Sequence, residues 1–339
     1  MAAPVLNKTA GSASATQTVT LGKGLNLGLR AAMEADPKVI IMGEDVGKLG
    51  GVFRITDGLQ KDFGEHRVLD TPLAESGIVG TAVGLAIRGY RPVCEIQFEG
   101  FIFPAFDQIT SQVAKLHFRS QGRIKLPMVI RVPFGGGIGA VEHHSESPES
   151  YFAHTAGLRV VACSNAVDAY WMIQQAIRCD DPVLFFEPKR RYYEKAQLDV
   201  DATPHPLFAS RVLRRGDTAT LISYGPMVKT CLDAASAAAE EGRSLEVIDL
   251  RALSPLDLEP VFESVRRTGH AVVVSEAPRE SSLSSEIAAR IQEECFFHLE
   301  APVLRVTGFD TPYPPSKLEE EFLPDLDRVL HTVDRSLAW

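Results

Sequence analysis

A continuously apolar strand-like run, VIIMGED (39–45), closes on a glycine and two acids, and this most narrows what the chain can fold into. A strand that alternates apolar and polar residues can face water on one side. A run with no polar face must be covered on both, as in a parallel sheet. Similar segments recur along the chain: RPVCEIQF (91–98), LPMVIRVPFG (126–135), GLRVVACS (157–164) and PVLFFEP (182–188), then TATLISYG (218–225), SLEVIDLR (244–251), HAVVVSEA (270–277) and APVLRVTG (301–308). Helical patterns separate them. From Val19 an apolar stripe of Leu21, Leu25, Leu27, Leu29 and Met33 ends at Asp36-Pro37. The spacing predicts further helices over 104–122, 166–179, 227–242, 258–267, 282–296 and the C-terminus. Strand alternating with helix predicts an α/β fold: two open sheets with helices on both faces.

The rhythm breaks at 189–208, which is polar and holds Pro204 and Pro206, and it reads as an extended linker. We therefore expect a tail over 1–17, a first unit over 18–200 and a second over 201–339. The tail is rich in Ala, Ser and Thr and lacks a signal-peptide core, which fits a cytoplasmic protein. A net charge of −9 offers no basic stripe, so nucleic acid is not an expected partner. No apolar run approaches membrane-spanning length, so no membrane partner is expected either. Cys94, Cys163, Cys179, Cys231 and Cys295 are scattered, which predicts free thiols in a reducing compartment.

RVLDTPLAESGIVGTAVGLAIRG (67–89) is unusual. Glu75 stands at the head of a segment whose Gly77, Gly80, Ala82, Gly84 and Ala86 leave almost no side-chain bulk. Glycine inside a helix costs about 0.5–1 kcal/mol relative to alanine, so another backbone is expected to approach closely. An acid at a helix start can also be a simple dipole partner.

In parallel α/β sheets, ligands bind beyond the carboxyl ends of strands. Those ends carry Glu44 and Asp45; Glu75; Gln97, Glu99 and Phe101; and the loop GGGIGAVEHHSESPE (135–149). Gly135-x-Gly137-x-x-Ala140 formally fits a relaxed dinucleotide pattern, but no helix follows it to face a pyrophosphate. The segment reads better as a flexible active-site loop. Adjacent His143 and His144 lack metal-ligand spacing. A histidine that donates or orients a proton fits better. Ser145 has no nucleophile-elbow context. Phe103 and Phe106 read as core, and Phe101 as an aromatic free to stack on a ligand ring. A strand-end acid, an aromatic and a histidine together describe a site for a flat, basic heterocycle.

These residues carry a specific resemblance. Glu75 with Gly80 and Gly84 fits the E-x4-G-Φ-x-x-G-Φ pattern of thiamine-diphosphate enzymes, with Thr81 departing at the first apolar position. DTPLAESGIVG, EIQF-x2-FIFPAFDQI, HHSESPE, DPVLFFEPKRRY, EVIDLR and LEAPVLRVTGFDTPYP resemble the beta subunit of the decarboxylating component of 2-oxoacid dehydrogenase complexes. The likeness is greatest to the branched-chain type, 3-methyl-2-oxobutanoate dehydrogenase, with pyruvate and acetoin relatives as alternatives. A non-catalytic docking subunit of the same fold is a further alternative.

The resemblance implies an α2β2 heterotetramer. The beta chain would bind the aminopyrimidine of thiamine diphosphate, and the alpha chain its diphosphate and Mg2+. This sequence has no G-D-G followed by N-N. The resemblance further implies that Glu75, buried and with a raised pKa, shares a proton with the pyrimidine, and that Phe101 stacks on it. Gln97 and Glu44 would lie near the ring and the substrate channel. His144, or its neighbour His143, would serve transfer of the acyl group to a lipoyl arm of the acyltransferase component. A structural K+ is implied around Met128 and Val129 and around Ala176, Cys179 and Asp181. The Gly77-Gly80-Gly84 ridge would meet another subunit, and the C-terminal unit would dock the acyltransferase.

Overall fold

The computed structural model describes residues 16–339, so the expected N-terminal tail lies almost wholly outside the described residues. The first unit runs β1 Gln17–Thr20, α1 Leu21–Ala35, β2 Val39–Gly43, α2 Leu59–Phe63, β3 Val68–Asp70, α3 Glu75–Ile87, β4 Arg91–Glu95, α4 Leu116–Arg119, β5 Val129–Phe134, α5 Glu149–Ala153, β6 Arg159–Ala162, α6 Ala166–Arg178, β7 Val183–Pro188 and β8 Lys195–Leu198. The second runs β9 Arg211–Arg214, β10 Ala219–Ser223, α7 Met227–Glu240, β11 Leu245–Asp249, β12 Ala252–Ser254, α8 Glu259–Thr268, β13 Ala271–Val274, α9 Leu283–Cys295, β14 Leu304–Val306, α10 Glu319–Phe322 and α11 Leu326–Leu337.

The larger sheet has seven strands in the order β12-β6-β7-β5-β4-β2-β3. All its neighbours are parallel except β12 with β6. β2, β5 and β7 are buried along their whole length, as continuous apolar runs between two helical layers require. The smaller sheet orders five strands β14-β13-β10-β11-β9, with only β9 antiparallel. Because β2, β3, β4, β5 and β7 are parallel, their carboxyl ends share one edge. Every candidate strand-end residue is carried to that edge.

Several local expectations are corrected. The helix expected over 104–122 is broken into a 3-10 turn at Glu99–Ala105, a π turn at Gln108–Val113 and the short α4. Pro104 lacks an amide hydrogen, and Ala114 N reaches back five residues to Ile109 O at 3.0 Å, which widens the helix. The apolar pattern from Val19 begins as a strand: β1 pairs antiparallel with β8, which lies inside the expected linker. That linker is also anchored at its start, where Lys189 and Tyr192 are buried. The short edge strands β9 and β12 give no period-2 signal and were not expected. Phe103 is 39% exposed rather than core, with its ring against Phe106 and Tyr151. Cys94, Cys163, Cys231 and Cys295 are buried free thiols, and Cys179 is half-buried.

Buried polar contacts tie the two units together. Arg251 of the second unit meets Asp168 of α6 at 3.1 Å and donates to the Pro206 and Ala209 carbonyls. Ser164 Oγ donates to Asp249. Tyr224 Oη donates to Glu149 at 2.6 Å. Burial pushes the Glu149 carboxyl up to about 8 from an ordinary value of 4.5. The folded state thus binds this proton more tightly than the unfolded chain. Its stabilising contribution is complete below about pH 4.5 and is lost as pH rises through about 8. Glutamine keeps an acceptor for Tyr224 but does not titrate. We expect Glu149→Gln to flatten the fall in thermal midpoint between pH 5.5 and pH 8.5, measured by calorimetry in both forms.

Candidate active site at the carboxyl edge of the larger sheet

Glu44 and Asp45 follow β2 directly, and Glu75 is the first residue of α3. Ala74 offers no side-chain cap, so the first turn of α3 keeps free amides beside Glu75. Glu44 and Glu75 are both 7% exposed. Burial raises the Glu44 pKa above its ordinary value, and the negative charges of Glu75 and Asp45 add to the effect. Glu44 Oε1 is buried with no hydrogen-bond partner. Gln97, just past β4, donates from Nε2 to Asp45 Oδ2 at 3.1 Å and to Glu44 O at 3.4 Å. Glu44, Glu75 and Gln97 therefore come together as expected.

The Glu99–Ala105 turn touches both α3 and the 142–144 turn, which joins this acid cluster to an aromatic wall. The His144 ring stacks on Phe98 at 4.0 Å and 20°, and meets the edge of Phe101 at 5.2 Å and 83°. Phe98 in turn abuts Phe53 at 5.3 Å. His144 Nδ1 is buried without a partner. His143 turns outward: its side chain is 66% exposed, with Glu142 at 3.6 Å. The structure thus brings His144, and not His143, to Phe101. A Cβ on Gly100 would lie 2.4 Å from the His143 carbonyl oxygen, so only glycine lets the two turns meet this closely.

Beneath this edge lie buried ion pairs. Arg131 of β5 binds Glu187 of β7 at 2.6 Å and Glu95 of β4 at 2.7 Å. Lys189 Nζ meets both oxygens of Glu99 at 2.6 and 2.7 Å. Burial pushes Glu99 up to about 7 and Lys189 down, both toward their neutral forms.

Other candidates fall elsewhere. In the 135–149 loop the 136, 137 and 139 amides are all held by carboxylates. It leads into a 3-10 turn rather than a long helix, so it does not build a dinucleotide site. Ser145 is 1% exposed and donates to the Ala140 carbonyl, which leaves no accessible nucleophile. Met128, Val129, Ala176, Cys179 and Asp181 lie at the opposite, amino-terminal edge of β5 and β7. The Met128 carbonyl accepts from Val183 N, Cys179 O from the Arg91 guanidinium at 3.1 Å, and the Asp181 carboxylate from Arg159. Among the described residues no group of three or more His, Cys, Asp or Glu could hold a metal ion. Sequence reasoning missed Phe98 and Phe53. It also missed Glu276, which ends the β13 run much as Glu44 ends β2, a signal that could have found it.

Two family models match the chain: the pyrimidine binding domain of transketolase over residues 17–195 and the C-terminal domain of transketolase over 209–329. The pyruvate dehydrogenase E1 component subunit beta of Leifsonia xyli is 62% identical over 323 residues, covering 95% of this chain and 96% of the relative. The 3-methyl-2-oxobutanoate dehydrogenase subunit beta of Mycobacterium tuberculosis is 51% identical over 323 residues, covering 95% and 93%. The 2-oxoisovalerate dehydrogenase subunit beta of Pseudomonas aeruginosa is 42% identical, covering 94% and 95%. A solved chain described as a split gene transketolase, inactive beta4 tetramer, shares the fold at a TM-score of 0.78 and 21% identity, covering 94% of this chain and 98% of its own.

Removing one partner of a buried pair leaves an uncompensated charge, which costs about 3–5 kcal/mol. Lys189→Met is expected to lower stability at pH 8, because it removes the cation that holds the buried Glu99 carboxyl down. The loss should shrink at pH 6, where protonating the buried Glu99 carboxyl costs less. Chemical denaturation at the two pH values checks it.

Proposed function

We propose, for a chain that belongs to the beta subunits of the E1 component of 2-oxoacid dehydrogenases, that it shares a thiamine diphosphate site with an alpha subunit and there serves oxidative decarboxylation of a 2-oxoacid. The observation that carries this is the convergence of two buried carboxylates, Glu44 and Glu75, with Phe101 and His144 at one sheet edge. Unpartnered Glu44 Oε1 and His144 Nδ1 beside an aromatic wall fit a flat, basic heterocycle that brings donors of its own. Bound thiamine diphosphate would supply the electron sink for loss of carbon dioxide.

The roles of the chain's own groups follow from their surroundings. Glu75 exchanges a proton between its carboxyl and a ring nitrogen of the aminopyrimidine. Glu44, whose pKa burial raises, lies close by. Phe101 offers a stacking face. Gln97 orients the Glu44–Asp45 turn through its two hydrogen bonds. His144, held by Phe98, moves a proton at Nδ1 during acyl transfer to a lipoyl group.

Partners and ions belong to the same proposal. In the chain alone Gly77, Gly80 and Gly84 are exposed, and a Cβ at Gly80 or Gly84 would meet nothing within 4 Å. This open ridge supports close packing by a further subunit of an α2β2 assembly. Mg2+ belongs to the alpha chain, and the second unit, 201–339, docks the lipoyl acyltransferase. For K+, Met128, Val129, Ala176, Cys179 and Asp181 are the candidates, with Arg91 already giving Cys179 O a cationic partner. No helix among the described residues is long and apolar enough to cross a membrane, and a cytoplasmic location fits. The H-S-x-S-P-E and FFEPKRRY segments favour branched-chain 2-oxoacids. A second reading, pyruvate, is favoured by the relative at 62% identity.

Glu75→Gln is expected to assemble normally with an alpha chain but to lose on the order of 100-fold or more in decarboxylation. Normal turnover would remove the proton role. His144→Ala is expected to lose acylation of a lipoylated domain and to keep part of the decarboxylation coupled to ferricyanide. Ranking kcat/KM for the oxoacids of valine, leucine and isoleucine against pyruvate decides the substrate. No thiamine diphosphate binding with any alpha chain would favour a docking role instead.

A further inference from the structure

The glycine arm at 135–139 is held from outside its own unit. Glu276, two residues past β13, accepts from Gly136 N at 2.8 Å and from Ser147 Oγ at 3.1 Å. Glu319, at the start of α10, accepts from Gly137 N at 2.8 Å, Gly139 N at 2.9 Å and Tyr313 Oη at 2.6 Å. Both carboxylates are buried, at 4% and 7% exposure. The base of the loop is closed by Gly135 N donating to Glu146 O at 2.9 Å. The result is a bracket. One arm hangs on two carboxylates of the second unit, and the other presents His144 to Phe98 and Phe101.

The glycines follow from this. A Cβ on Gly136 would lie 1.9 Å from Tyr313 Oη. A cavity of about 130 Å³ lies beside this contact, bordered by Ser145, Ser147, Glu276 and Tyr313. Amide-to-carboxylate hydrogen bonds hold the loop to the second unit, and they are roughly twice as strong as neutral ones. Arg190, 4.0 Å from Glu276, is the nearest cation to that carboxylate.

We propose that Glu276 and Glu319 are positioning residues that fix the 135–146 loop, and through it set where the His144 ring stands over the aromatic wall. This rests on the reading of His144 as the group that serves acyl transfer. Misplacing a reacting group by about 1 Å can cost about 10²-fold.

The test uses the chain assembled with an alpha subunit, and two readouts: decarboxylation coupled to ferricyanide, and acylation of a free lipoylated domain. Glu319→Gln puts an amide donor against the amide of Gly137 or Gly139, since Glu319 uses both oxygens, and Glu276→Ala removes the single oxygen that accepts from Gly136 N and Ser147 Oγ. Each is expected to lower kcat for acylation by roughly ten-fold or more, with KM for the lipoylated domain and decarboxylation changing by less than about three-fold. In a His144→Ala background, Glu319→Gln should bring no further loss of acylation. Equal loss of both activities, no loss of acylation, or an additive loss in that background would overturn the proposal. If His144→Ala alone leaves acylation intact, the underlying site reading fails instead. Should these variants not assemble, Tyr313→Phe carries the test, with acylation expected to fall by roughly two- to five-fold and decarboxylation by less than two-fold. Parallel loss or none would again overturn the proposal.

Discussion

Arg131, at 1% exposure in the middle of the larger sheet, is the contact on which the rest depends. It links three neighbouring strands by binding Glu95 of β4 and Glu187 of β7, and Tyr192 Oη closes the network on Glu187 at 2.8 Å. Removing three charged groups from water is expensive, and such clusters are poor sources of stability. Here the network fixes where β4, β5 and β7 stand relative to one another just below their carboxyl ends. The residues that follow those strands are Gln97 to Phe101, the glycine loop, and Lys189. A register slip in any one of the strands would break the ion cluster and scatter the site.

Above that floor the candidate site is built from turns rather than regular elements. The broken helical segment after β4 is a case in point. A regular helix would carry Phe98, Phe101 and Gly100 around a cylinder. The 3-10 turn instead sets both rings beside His144 and lets Gly100 accept the His143 backbone. The second unit is not a bystander. Its Tyr224 holds Glu149 at the far end of the same loop, and its Glu276 and Glu319 hold the near end. The loop therefore reports the seam between the two units as much as the strand it follows.

Much of the fold was legible along the chain, because apolar runs of β2, β5, β7, β10 and β13 are buried by both helical layers and carry no competing period. β1 with β8, and the edge strands β9 and β12, were not legible. They are short, and their partners lie far away in sequence, so no local pattern announces them. At the site, Glu44, Glu75, Gln97, Phe101 and His144 could be picked out as strand-end or motif residues. Phe98 could not, since a phenylalanine after a strand reads as core until the imidazole is found on its face.

Sequence alone determined the class of fold, the edge at which chemistry would gather and the family whose motifs the chain carries. Continuous apolar runs admit only a covered parallel sheet, and a parallel sheet has one carboxyl edge. Tertiary structure alone decided which histidine turns inward, why the 135–137 glycines cannot carry side chains, and that the loop is clamped rather than free. Each of those outcomes depends on atoms more than a hundred residues apart, or on turns whose directions no periodicity encodes.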